Sequence, residues 1–319
     1  MAFLTAKYAF ILTALAANLA GCGNSSGARP RTYHASRAPS CLKIVNGSAA
    51  TQPRLQAVVP LLLLEGDLIT TTYCSGTWVG PRTVLTARHC VTGRTAATIA
   101  VVNSNEFDLA AIQGKSVQAS KLTYALAKNI VVSEINSDGK EAPESISPAT
   151  VADDVAFVDF GVVFAHEVLP IAARVLTKDQ RVALAGFGGA DLKTRSLTLL
   201  RRFGVNAIAA VNHQGGENYW LAGKLAGPKE DGRGLSAFGD SGGPLLQYDR
   251  VVGLLSAGST APETLRDFPG AEAISLIAPM GSSAMAKLLS LARVKDIEIA
   301  IDQSALAETP QPSAGAQCP

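Results

Sequence analysis

Charge of either sign is scarce in this 319-residue chain. Asp, Glu, Lys and Arg make up 17% of it, and the formal net charge is only +2. A balance so close to neutral excludes bulk electrostatic attraction to nucleic acid or to an anionic membrane surface. No His-Glu-x-x-His metal motif occurs, and no glycine-rich phosphate loop, so no metal and no cofactor are expected. The apolar run at residues 8–20 is thirteen residues long, short of the roughly 20 that a membrane-spanning helix needs. Histidine is rare: His34, His89, His166 and His213 are the whole set. What the chain does have is apolar residues, 47% of the total, enough for an ample core. At this length it holds one large or two ordinary domains.

The first residues read as an export signal. Lys7 gives a positive start, the short apolar run follows, and Leu19-Ala20-Gly21-Cys22 ends it. That tetrapeptide resembles the bacterial lipobox, a signal cut just before the cysteine, whose thiol then carries a diacylglycerol. The expectation is a signal peptide over residues 1–21 and an exported lipoprotein lipidated at Cys22. It would be anchored to a membrane and face the periplasm or the cell exterior. Residues 22–43 then form a tether and propeptide, since 23–40 are polar, rich in Gly, Ser, Arg and Pro, and without apolar period. Five cysteines are an odd count for an exported chain. With Cys22 assigned to lipid, Cys41, Cys74, Cys90 and Cys318 remain, an even set.

The most informative stretch is Phe238-Gly239-Asp240-Ser241-Gly242-Gly243-Pro244. Glycines beside Ser241 let the backbone adopt conformations that a β-carbon forbids. The N–H groups of Gly239 and Ser241 can then converge as a hole for a developing oxyanion. A serine hydroxyl is a poor nucleophile without a base. Of the four histidines only His89 has a telling context, Leu85-Thr86-Ala87-Arg88-His89-Cys90.

Together these two motifs resemble the paired signatures of the trypsin-like (chymotrypsin-fold) serine proteases, in that family's order. The resemblance covers residues 44–293. It implies an all-β fold of two six-stranded antiparallel β-barrels packed together, with a C-terminal α-helix. It also implies a serine endopeptidase that hydrolyses peptide bonds of protein or peptide substrates through an acyl-enzyme. His89 and Ser241 would be catalytic, with Gly239 and Ser241 forming the oxyanion hole. Tyr73-Cys74-Ser75-Gly76-Thr77-Trp78-Val79 resembles the family's strand that is bridged to the cysteine after the histidine. That implies Cys74–Cys90 and leaves Cys41 to pair with Cys318 in an oxidising compartment. Lys43-Ile44-Val45-Asn46-Gly47 resembles the site at which zymogens of the family are cut by an activating protease. The freed ammonium of Ile44 would then pair with Asp240.

Short apolar runs between turn signals, at 58–64, 76–79, 97–102 and 129–132, fit an antiparallel barrel at about 56–165. A second series, at 182–187, 197–209 and 219–221, places another at about 166–280. Residues 282–293 carry the apolar spacing of a closing helix. Residues 294–319 read as a polar C-terminal extension.

Two segments compete for the carboxylate that orients His89, one with Asp108 and one with Asp153-Asp154. Both resemble the family's Asp-[Ile/Val]-Ala-x-[Leu/Val]. Eighteen residues between His89 and Asp108 are too few to finish a barrel of strands ~5–6 residues long. Asp154, 65 positions on from His89, leaves that room and is preferred over Asp108 and Asp153. For substrate binding the resemblance points to Ser256, Ala257 and Gly258, with Leu235 as pocket floor. A leucine there would leave a basic side chain unpaired. Glu272 is either a surface acid or a charge inside the pocket. Two other readings stand beside this one: a catalytically silent surface-binding lipoprotein on the same scaffold, and a periplasmic chaperone-protease with no zymogen step.

Overall fold

The computed structural model describes residues 44, 47–132, 147–164, 167–188, 198–225 and 233–302. The export signal, the tether, Cys22, Cys41, Lys43, His34, His166 and Cys318 lie outside them. Seven strands form a first antiparallel sheet: β1 (Val58–Glu65), β2 (Leu68–Trp78), β3 (Thr83–Thr86), β4 (Ile99–Val102), β5 (Tyr124–Leu126), β6 (Asn129–Val132) and β7 (Ala156–Asp159). Their order is β5-β4-β1-β2-β3-β7-β6. The edge strands β5 and β6 are consecutive in the chain, parted only by Ala127 and Lys128. Ala127 N–H donates to Ile99 on the β4 side, and Lys128 N–H to Asp159 on the β7 side, at 2.9 and 2.8 Å. A strand broken at that point lets the sheet curl until its ends adjoin. β1 reads Val-Val-Pro-Leu-Leu-Leu-Leu and is buried throughout except at Glu65, as an unbroken apolar run requires.

The second sheet contains β8 (Arg181–Gly186), β9 (Arg202–Val211), β10 (Tyr219–Gly223), β11 (Pro244–Gln247), β12 (Arg250–Ser259) and β13 (Ala273–Pro279). These run β9-β8-β11-β12-β13-β10, and β10 pairs again with β9. The ring is closed, which removes free edges. Its core gathers Ile44, Leu184, Leu221, Leu235, Leu245, Leu255 and Ile277. The two-barrel, mostly β architecture expected from sequence is therefore present, its first barrel split at one strand.

The helix Ser283–Val294 is capped by Ser282, whose hydroxyl accepts from Met285 N–H at 3.2 Å. Its buried face is Ala284, Met285, Leu288 and Ala292. Beyond it the chain departs from a plain polar tail. Residues 296–302 form a strap: Ala300 N–H donates to Val79 at 2.6 Å, and Ile171 N–H donates to Ala300 at 2.9 Å. Ile171 also bridges Val251, the second residue of β12, and Asp302 pairs with Arg250. The strap thus touches the end of β2 in the first barrel and, through Ile171, the second.

Candidate active site

β3 ends at Thr86 and the chain turns at once into the single helical turn Arg88–Val91. That turn is pinned by the Cys74–Cys90 disulfide, which spans Cα atoms 6.3 Å apart. His89 projects from it, its side chain 36% exposed. Asp154 follows a 3-10 turn at Val151–Asp153, immediately ahead of β7, and is 5% exposed. Its Oδ1 accepts the His89 backbone N–H at 2.8 Å, and its Oδ2 lies 2.8 Å from His89 Nδ1. Ser256 Oγ donates to the same Oδ2 at 2.5 Å. A carboxylate that accepts from Nδ1–H fixes the tautomer in which Nε2 is the free acceptor.

The competing acids sit elsewhere. Asp108 is exposed and caps the turn Leu109–Ile112, accepting from Ala110 and Ala111 N–H at 2.9 and 3.4 Å. Asp153 is half-buried. Burial raises its pKa, against the opposing charge of Arg88.

Ser241 lies in the loop ahead of β11, within the second barrel. Gly239 and Gly242 have φ of +92° and +83°, which a residue with a β-carbon rarely adopts. A β-carbon at Gly242 would also sit 2.2 Å from both Ser75 O and Thr86 Oγ1. Among the described residues neither the Gly239 nor the Ser241 N–H has an acceptor. Cys90 Sγ stands 3.7 Å from His89 Nε2 and 3.9 Å from Ser241 O, so imidazole and serine loop flank one disulfide. Ser241 Oγ donates to the Ser256 carbonyl at 3.3 Å, and among the described residues it has no hydrogen bond to His89. Ser256 therefore links the two halves, its hydroxyl on Asp154 and its carbonyl on Ser241.

Asp240, next to the serine, is wholly buried. It accepts from Gly188 N–H at 2.7 Å and Ala237 N–H at 2.8 Å. Desolvation pushes its pKa up to about 7, against those two bonds and the nearby Arg202 charge. Ile44 is fully buried in the second-barrel core.

A cavity of about 410 Å³ opens beside Ser241, lined by Ser236, Ala237, Phe238, Ala257, Gly258 and Ile274 among others, none of them ionisable. Ser256 also lines it. Leu235 does not, which corrects the expected pocket floor: its side chain is 1% exposed and turned into the barrel core against Gly223. Ser236, the next residue, faces the cavity instead and hydrogen-bonds Ser275 Oγ at 2.8 Å. Glu272 is a surface acid, accepting from Leu225 N–H at 3.0 Å. The resemblance that points to Leu235 gives no sign of Ser236 or Ile274, which line the cavity. It also passed over Phe238, which lies in the quoted motif and is 60% exposed at the cavity mouth.

Two antiparallel barrels, an Asp–His pair from the first and a glycine-flanked serine from the second make this the fold of the chymotrypsin-like serine proteases. The chain belongs to the trypsin family, whose model, described as Trypsin, matches residues 44–272. Among solved structures it is similar to a scabies mite inactivated protease paralogue, with a TM-score of 0.56 and 16% identity over 80% of this chain and 99% of that one. It is also similar to neuropsin, a serine protease expressed in the limbic system of mouse brain, with a TM-score of 0.52 and 17% identity over 78% of this chain and 99% of that one. At these identities the likeness is one of fold. No curated protein matches the chain.

Proposed function

We propose that this protein is an exported serine endopeptidase, made as a zymogen and acting through an acyl-enzyme. The observation that carries the reading is the Asp154 carboxylate bound to His89 Nδ1 at 2.8 Å, in a cleft that also holds Ser241. His89 Nε2 takes the Ser241 proton as the hydroxyl attacks a peptide carbonyl, then returns it to the leaving amine. Asp154 stabilises the imidazolium. The free N–H groups of Gly239 and Ser241 receive the oxyanion. These roles are those of the family's well-studied triad. Phosphonylation of Ser241 by a fluorophosphonate, abolished in Ser241→Ala, tests the reading. A wild-type protein that stays unlabelled after activation sinks it.

Cleavage between Lys43 and Ile44 by an activating protease supplies the switch. Among the described residues Asp240 accepts from two amide N–H groups and feels the charge of Arg202. A new Ile44 ammonium would give it a full counter-charge. Among the described residues the lining of the cavity beside Ser241 is not ionisable, which favours uncharged side chains at the residue before the scissile bond, since a buried unpaired charge is costly. A lipid on Cys22 would keep the enzyme on its membrane.

The silent-scaffold reading draws on one feature, the Ser241 hydroxyl bonded to Ser256 O rather than to His89. Catalytic hydrogen bonds are often long until substrate binds, so the fluorophosphonate experiment separates the two.

A further inference from the structure

Ser75, on β2 of the first barrel, is wholly buried and makes four hydrogen bonds. Its N–H donates to Ser241 O at 2.8 Å, and its carbonyl accepts from Thr86 Oγ1 at 2.8 Å. Its hydroxyl donates to Gly239 O at 2.8 Å and accepts from Phe187 N–H at 2.9 Å. A serine hydroxyl has one proton to give, and here that proton goes to the carbonyl of the glycine whose amide would bind the oxyanion. The segment receiving the other end of this bridge also grips the loop directly, because Gly188, next to Phe187, donates to Asp240 Oδ1 at 2.7 Å. On its third side Gly239 meets the ring of Tyr73: a β-carbon there would lie 2.1 Å from Tyr73 Cε2. Gly239 is therefore fixed by a hydroxyl, by its neighbour's carboxylate and by an aromatic face, and the first two converge on residues 187–188.

We infer that the Ser75 hydroxyl is a positioning group for the oxyanion-binding loop, holding Gly239 at the angle its N–H needs by bridging it to the end of β8. Ser75 touches no reacting atom and acts through Gly239. The inference rests on the serine-peptidase reading for its catalytic consequence, while the anchoring of the loop does not. Replacement by alanine removes one oxygen and leaves the Phe187 N–H and the Gly239 carbonyl without that partner in a dry place, which loosens the loop.

The test compares wild type, Ser75→Ala and Ile69→Val. The last trims a fully buried residue at the far end of β2 and is a control for general destabilisation. Amide hydrogen exchange, read on uncleaved protein, needs no activity. The expected result for Ser75→Ala is faster exchange confined to the segments around 187–188 and 237–242, absent in Ile69→Val. Unchanged exchange there overturns the inference. On activated protein, kcat for a peptide substrate is expected to fall about 10–100-fold in Ser75→Ala with KM nearly unchanged, less than the loss of a whole oxyanion donor. A peptide boronate, which mimics the tetrahedral state, should weaken in parallel with kcat. A change in KM alone overturns the positioning role. Loosened exchange in a protein whose wild type resists fluorophosphonate would leave the anchoring standing and remove the peptidase reading.

Discussion

At Asp154 a single carboxyl group accepts from the His89 backbone, the His89 ring and the Ser256 hydroxyl. Asp108 carries the same local sequence flavour, yet caps a surface turn. The two therefore separate cleanly by mutation. Asp154→Asn should lower kcat by about 10⁴-fold, the size known for the corresponding change in a well-studied family member, because the amide favours the wrong tautomer. Asp108→Asn should leave kcat within about twofold and, since Asn also caps well, cost at most a few tenths of a kcal/mol in a urea melt. Asp240 gives a pH signature. Its folded pKa, about 7, stands well above the usual carboxylate value of about 4. The unfolded chain therefore releases this proton first, and the contribution is fully present below pH ~4 and lost as pH rises through ~7. Three units correspond to roughly 4 kcal/mol at most. In the uncleaved Ser241→Ala chain, stability measured by urea unfolding at pH 5 and pH 8 should show this loss relative to Asp240→Asn, which lacks the titration. Parallel pH profiles for the two chains would refute a buried, proton-holding Asp240.

Among the elements, the strands were the most legible. The run at 58–64 became β1, and 129–132 became β6 without change of bounds. The reason is physical: unbroken or alternating apolar residues between turn signals have few other stable fates. The room argument is consistent with Asp154 as the partner bonded to His89, since β4, β5 and β6 all lie between the two. Side-chain direction outside regular strands was not legible. Leu235 turns into the core and Ser236 faces the cavity, and spacing along the chain carries no information about that. The strap at 296–302 was readable in principle, since Ile297, Ile299 and Ile301 recur at every second position in the period of a strand, but the acids Asp296, Glu298 and Asp302 beside them masked it. The disulfide at the His89 turn closes a loop of about 15 residues, a closure typically worth ~3 kcal/mol. A Cys74→Ala/Cys90→Ala double variant should lose roughly 2–4 kcal/mol in denaturant unfolding, and its kcat should fall because the His89 turn is no longer pinned.

For the whole molecule, the central expectation is the coupling of one peptide-bond cleavage to the serine loop. Cleavage after Lys43 should give a new N-terminus beginning at Ile44, detectable by N-terminal sequencing, together with the onset of fluorophosphonate labelling. In the cleaved protein the decline in stability between pH 5 and pH 8 should shrink, as the ammonium holds Asp240 ionised. Active protein that retains an intact 43–44 bond would remove the zymogen step while leaving the peptidase reading in place.

The family match stops at residue 272, and a gene trimmed near there, or after codon 295, would look complete. It would nonetheless delete the segment that lies along both the end of β2 and Ile171. The product ending at residue 295 should express poorly or be readily nicked by added proteases, and adding back seven codons, 296–302, should restore it.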